Sequence, residues 1–407
     1  MRISVLGSFL LLLLIGMLPS LSMGFFDASS LAFGLSLSLM LLLIFYLNQL
    51  IIFRAVPIPF LVFLFLITLH STFLSVQQPY FDVRAYMSFF VLFFVFSMSF
   101  FLSKIILSDK FNINPSFEYI FVSLAILSVT AYMTDFGLGN FFYGNHKSIF
   151  PFQEPSHFAL FFGPFFLLYL FRVITDFKRI LLILGISLFA IIIESATLLI
   201  YSFLAIFLFL RAGLTGIIFV VPILVFGAYF ILNDPYFLSR AILSSQSDNL
   251  TALVYLQGLT DAYNALVQTN GWGLGFQMLG TQPPSGINDR IQAVLSQGPD
   301  GAGLNRKDGG FVAAKLTAEF GVLGLTLLLA YIFLLFKVFI RLRKIIRRPR
   351  AHAPAYTFAL VFIYASSVEV FVRGMGYFSP SLFLFFTALF VFNFYKKRVK
   401  CFASDYC

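Results

Sequence analysis

Few side chains in this sequence can do chemistry, and they cluster at the ends of apolar runs. Glu154 and His157 stand three apart in Phe152-Gln153-Glu154-Pro155-Ser156-His157, and Asp308 opens Asp308-Gly309-Gly310. A carboxylate or an imidazole within hydrogen-bond reach of a hydroxyl can take its proton. Arg373 is followed by Gly374 and Gly376, and an arginine with adjacent glycines can bring a guanidinium and backbone amides close to a phosphate. Arg84, Arg290 and Arg306 are further guanidiniums in the same class of segment.

Each of these residues also has a plain structural reading. Glu154 directly precedes Pro155, which suits the first turn of a helix, so its carboxylate could simply cap orphan amides, a role worth about 0.5–2 kcal/mol. Arg84 could pair with Asp82 between aromatic anchors at a membrane surface. Arg373 could be a loop cation near lipid head groups. Lys315 and Glu319 could be an ordinary i,i+4 ion pair. Glu194, in Glu194-Ser195-Ala196-Thr197, could be a solvated turn residue or a functional acid at the end of a span.

The elements that must position these groups are helices in a bilayer. The chain is 60% hydrophobic and only 11% charged over 407 residues, which excludes a soluble globule. Its apolar runs, each needing roughly 17–25 residues, predict an all-α polytopic integral membrane protein with about 12 transmembrane helices. The first run, Ser4–Met23, is expected to stay as an uncleaved span. The segment Ile180–Leu210 is broken at Glu194 and reads as a tight hairpin of Ile180–Ile193 and Thr197–Leu210. The span before the long polar segment is placed at Ala212–Leu232.

Three regions follow: an N-terminal bundle over residues 1–232, one large polar loop over 233–310, and C-terminal spans with a basic tail over 311–407. Within the loop, Ser247 or Asp248 is expected to cap a helix that runs to Thr269 and ends at Asn270-Gly271. Such a helix would lie along the bilayer or over the bundle mouth. Gly271-Trp272-Gly273-Leu274-Gly275 follows no strand, so a nucleotide-binding reading is poor, and a tight re-entry to the membrane surface fits better.

Most of the 27 Lys and Arg residues fall in segments that a cytoplasmic N-terminus would place inside the cell, including the run from Lys337 to Arg350. Positive charge is retained on the cytoplasmic side, so both termini are expected inside and the long loop outside. The formal charge of +10 therefore reads as topology with anionic-lipid contact, and gives no reason to expect a nucleic-acid partner. The only cysteines, Cys401 and Cys407, lie in the tail, which offers neither a disulfide scaffold nor a thiolate metal site.

Taken in order, Phe152 to His157, the Gly271–Gly275 turn, Asp308-Gly309-Gly310 and Glu319-Phe320-Gly321-Val322-Leu323-Gly324 resemble the bacterial O-antigen polymerase (Wzy) family, within the O-antigen polymerase and ligase superfamily. The likeness runs from Phe150 to Phe378. It implies a GT-C-like fold in the bacterial inner membrane with one large periplasmic loop. It also implies inverting glycosyl transfer at the periplasmic face without a metal or any cofactor. The donor and acceptor would be undecaprenyl-pyrophosphate-linked glycans, and a chain-length regulator protein is an expected partner.

On that resemblance Glu154, His157 and Asp308 are the candidates for the catalytic base. Arg373, Arg290, Arg306 and Arg84 are the candidates to hold the pyrophosphate. Ligases of the superfamily place a histidine before the span that follows the large loop, where this chain has Asp308. That departure favours polymerase over ligase and leaves the base open. A flippase for the same lipid-linked oligosaccharide is the alternative from another class, although the sequence shows no convincing internal repeat, few mid-span charges and one large one-sided loop.

Overall fold

The structure is a computed structural model. It describes residues 5–26, 31–45, 58–77, 83–108, 113–134, 149–173, 175–209, 229, 233–283, 285–295, 306–347 and 353–404. The expected span Ala212–Leu232 and the glycine-rich turn at 298–303 lie outside the described residues, except for Tyr229.

The fold is all-helical among the described residues. The first five helices are α1 (Val5–Phe26), α2 (Leu31–Phe45), α3 (Ile58–Gln77), α4 (Val83–Leu107) and α5 (Ile113–Thr134). They are followed by α6 (Pro155–Leu170), α7 (Asp176–Ile192) and α8 (Ala196–Phe209). The long loop contributes α9 (Pro235–Ala241), α10 (Leu250–Gln268) and α11 (Gly286–Leu295). The chain ends with α12 (Val312–Arg347), α13 (Pro354–Ala365), α14 (Ser367–Phe371) and α15 (Pro380–Ser404).

By length and composition, five helices can cross a membrane: Val5–Phe26, Ala85–Leu107, Ile113–Thr134, Val312–Arg347 and Pro354–Phe371. The protein is therefore a multi-pass membrane protein. Shorter apolar helices, among them Pro155–Leu170, Ala196–Phe209 and Pro380–Tyr395, pack between these five. The described residues thus show fewer full-length spans than the 12 expected from apolar runs, because several runs form helices of 14 to 16 residues.

The centre is aromatic. Phe117 of α5 stacks on Phe358 of α13 with ring centres 5.1 Å apart, and Phe121 stacks on Phe162 of α6 at 5.3 Å. Large rings bury much area and pack in offset or edge geometries without needing polar partners. In a bilayer, where helix association gains little from the hydrophobic effect, such packing carries the contact.

The bundle has two chemically different ends. Arg343 of α12 donates to the Phe207 and Leu208 carbonyls, closing the last turn of α8, and Arg341 reaches the Tyr356 hydroxyl. Cations at helix C-termini meet the negative end of the dipole. At the opposite end of α12, Gly310 accepts a bond from the Gly374 N–H at 2.8 Å. The tight hairpin around Glu194 is present, with α7 and α8 joined through a Glu194 backbone at φ 51°. Its tip belongs to this second end, since the Ser195 hydroxyl donates to the Pro155 carbonyl.

One expected cap is corrected. Asn249, and neither Ser247 nor Asp248, caps α10, its side chain accepting from the Thr251 and Ala252 amides at 3.0 and 3.2 Å. Asp248 lies one residue too early to reach those amides and instead pairs with Arg290.

Candidate functional site

The second end of the bundle gathers the groups that the sequence scattered. Glu154 stands at the N-cap position of α6, but its side chain caps nothing. The backbone carbonyl of Glu154 takes the His157 and Phe158 amides, while its carboxylate turns outward. One oxygen, Oε2, accepts from Arg373 at 3.1 Å and from the Ser156 hydroxyl at 2.8 Å. The His157 Nε2 atom lies 4.0 Å from the same oxygen. The structural role offered for Glu154 as a helix cap is thus not the one its side chain performs.

Burial pushes the Glu154 carboxyl up, but the Arg373 guanidinium outweighs it, together with His157 and Ser156, and takes it down to about 2. Held this way it is a firm anion and a weak base. Asp308 completes the group: it bears electrostatically on His157, and its Oδ1 sits 3.1 Å from where a Cβ on Gly376 would lie. Its side chain is exposed.

Two residues that the sequence reading did not single out join this cluster. The short helix α9 opens with Asp234-Pro235, and the Asp234 carboxylate accepts from the Tyr236 and Phe237 amides. Four residues apart on α9, Tyr236 and Arg240 stack, with the guanidinium carbon 3.9 Å from the ring centre. Arg240 feels the charges of Arg373, Glu154 and Glu194. The Tyr236 hydroxyl donates to the Glu194 carbonyl, and burial pushes its pKa up to about 12, so it stays a proton donor at neutral pH. An Asp-Pro cap signature followed by Tyr and Arg at i,i+4 spacing was the available sign.

The remaining candidates are placed elsewhere. Arg290 binds Asp248 at 2.6 Å and the Gln246 carbonyl at 3.4 Å, tying α11 to the turn before α10. Arg306 donates to the Gln282 carbonyl and lies near Asp261. Both arginines therefore brace the long loop itself. Arg84 falls in the first turn of α4, and its side chain lies outside the described residues. Of the seven residues proposed from sequence, the structure brings together Glu154, His157, Asp308 and Arg373.

A floor of backbone contacts supports them. Helix α12 is broken at Gly321, whose φ of 58° and ψ of −131° are not helical. The break interrupts the helical ladder at the Ala318 and Glu319 carbonyls, and the glycine-rich loop replaces it. The Leu274 N–H donates to Ala318 at 2.9 Å, the Gly275 N–H donates to Glu319 at 2.8 Å, and the Val322 N–H donates to Gly271 at 2.8 Å. Buried backbone groups must be paired, and here the loop supplies the partners. A Cβ on Gly321 would meet the Gly271 oxygen at 1.9 Å, and one on Gly273 would meet the Glu319 oxygen at 2.6 Å, so both glycines are required for this approach.

From its other side α3 holds the same loop. The Ser71 hydroxyl accepts from the Phe276 N–H at 3.0 Å, and the His70 Nε2 atom lies 2.9 Å from the Trp272 carbonyl. Next to this joint, Asp308-Gly309-Gly310 packs close to α10: a Cβ on Gly258 would lie 2.2 Å from the Gly309 carbonyl. The two glycine motifs quoted for the family resemblance, Gly271–Gly275 and Glu319–Gly324, are therefore one physical joint.

Chemically, the end of the bundle presents two guanidiniums, three carboxylates and an imidazole around a half-buried ion pair. Such a site can take an anionic group on the arginines and a proton on a carboxylate. Among the described residues no three His, Cys, Asp or Glu side chains converge as a metal site. No family model matches the chain, and no curated protein or solved structure matches it either.

Proposed function

We propose that this protein is a membrane glycosyltransferase that polymerises undecaprenyl-pyrophosphate-linked oligosaccharide repeat units, as an O-antigen polymerase does. In this reading the chain crosses the bacterial inner membrane about 12 times, keeps both termini in the cytoplasm, and works at the periplasmic face. The observation that carries it is the partnership of Glu154 with Arg373, beside His157 and Asp308.

The chemistry follows from that partnership. The acceptor hydroxyl oxygen attacks the anomeric carbon of the donor glycan from the side opposite the pyrophosphate. The carbon–oxygen bond to the pyrophosphate breaks, and undecaprenyl pyrophosphate leaves with the electron pair. The hydroxyl proton passes to a carboxylate. Negative charge builds on the leaving oxygens, where a planar guanidinium donates two parallel hydrogen bonds. The Glu154 carboxylate occupies an Nη2 donor of Arg373, so a pyrophosphate that takes the fork competes with it. Once released, Glu154 loses the charge that holds it near 2 and becomes a better proton acceptor. Asp308 is the second acceptor within this group. Donor binding and base activation are thereby the same event.

The experiment is Arg373→Lys in purified protein supplied with lipid-linked repeat units. Lysine keeps the charge but offers a point in place of a fork. A pyrophosphate clamp loses on the order of a hundredfold or more in rate when one such donor goes. Polymer formation near the wild-type rate would reject the reading.

A further inference from the structure

We infer that the buried Lys315–Glu319 pair is the joint that sets the Asp308 turn and the Arg373 turn against each other, so that both are positioning residues for the reaction; this rests on the functional reading above. The two side chains are 1% and 0% exposed, with Nζ 3.7 Å from Oε1. A pair so completely buried gives little net stability, since desolvation offsets most of the attraction, and apolar replacements of similar volume are often neutral. Stability alone therefore gives the pair no role, and its contacts supply one.

Each end of the pair holds a different segment of chain. The Lys315 ammonium donates to the carbonyl of Lys307, the residue before Asp308. It also donates to Gln277 Oε1 at 3.2 Å and lies 5.1 Å from the Tyr377 ring centre. The Glu319 Oε1 atom accepts from the Leu279 N–H at 3.4 Å, and the Tyr377 hydroxyl faces the same carboxylate. Tyr377 ends the turn that Arg373 begins, and Gly374 of that turn bonds Gly310. Three loop segments, 277–279, 307–310 and 373–377, therefore meet on two side chains of one helix. Helix α12 in turn fixes those side chains, because its first nine residues are nearly all buried. A helix-borne site is held more tightly than a loop-borne one, and here the helix lends that rigidity to three loops.

The test is the double variant Lys315→Met/Glu319→Gln, which removes both charges and keeps an amide acceptor for Leu279. Each single variant strands one buried charge and serves only as a control for folding. For the double variant we expect a melting midpoint close to wild type and faster amide hydrogen exchange in Arg306–Gly310 and Arg373–Phe378. We also expect kcat for polymerisation to fall on the order of a hundredfold, the usual result of misplacing reacting groups by about 1 Å, with KM moved much less. Normal kcat, or unchanged exchange in both turns, overturns the inference, as does failure of the double variant to insert, which would make the pair a folding element. Wild type that forms no polymer while Glu154→Gln behaves identically defeats the functional reading, and the exchange measurement then still decides whether the pair holds the turns.

Discussion

Replacing Gly321 by alanine should open the joint between the glycine-rich loop and the broken helix. Its backbone, at φ 58° and ψ −131°, lies in a region that side-chain-bearing residues enter at about 1–3 kcal/mol. The added methyl would stand 1.9 Å from the Gly271 carbonyl oxygen, well inside contact distance, so the loop must withdraw. Withdrawal breaks at least the Val322 N–H to Gly271 bond of 2.8 Å, and a buried backbone group left unpaired costs about 1–3 kcal/mol. Together these come to roughly 2–6 kcal/mol, a large share of a typical total of about 5–15. The chain supplies its own probe, because its single tryptophan is Trp272, between the two glycines of the joint. That indole is 57% exposed and packs against Phe73 with ring centres 6.2 Å apart. Gly321→Ala in detergent should therefore shift Trp272 emission and raise its accessibility to a soluble quencher, alongside a lower melting midpoint. An unchanged spectrum, quenching and midpoint together would show that the loop does not depend on the break in α12.

Two further outcomes follow from the charges. Glu154 is held down to about 2 against an ordinary 4.5, so its ion pair contributes stability above pH 4.5 that is lost as pH falls toward 2. Because its side chain is 46% exposed, the contribution is about 1 kcal/mol or less, and the small melting deficit of Glu154→Gln at neutral pH should vanish in acid. Asp261 is the opposite case: burial pushes it up to about 6 from 3.8, with Arg306 opposing. The fold then favours the protonated acid, an advantage present below pH 3.8 and lost as pH rises through 6. Asp261→Asn should accordingly raise stability at pH 8, by up to about 3 kcal/mol and seen as a higher melting midpoint, and change nothing below pH 4.

What the sequence made legible was composition, order and local signatures. Apolar length announced the helices, Glu194 marked the hairpin tip, and Pro155 marked the first turn of α6. What stayed hidden depended on which surfaces meet. Lys315 and Glu319 are spaced as any solvated helix pair would be, and only the loops packed over them turn that spacing into a buried joint. Gly321 stood in a quoted motif, but nothing in its local sequence marked a break, since glycine is common in membrane helices. Its break is visible only with Gly271–Gly275 seated against it.

The same reasoning explains why Glu154 carried two readings, a helix cap and a site residue. An acid before a proline at a helix start can serve as a cap, and locally that is its cheapest use. Here a carbonyl of the same residue already takes the His157 and Phe158 amides, so the side chain is free for a partner from 219 residues away. A long-range ion pair chosen over a local cap spends a helix-stabilising group on an arginine at the bundle's mouth. Nothing in helix formation requires that choice. Under the function proposed above, an anionic donor would compete with that carboxylate for Arg373, and the pair is where that chemistry would begin.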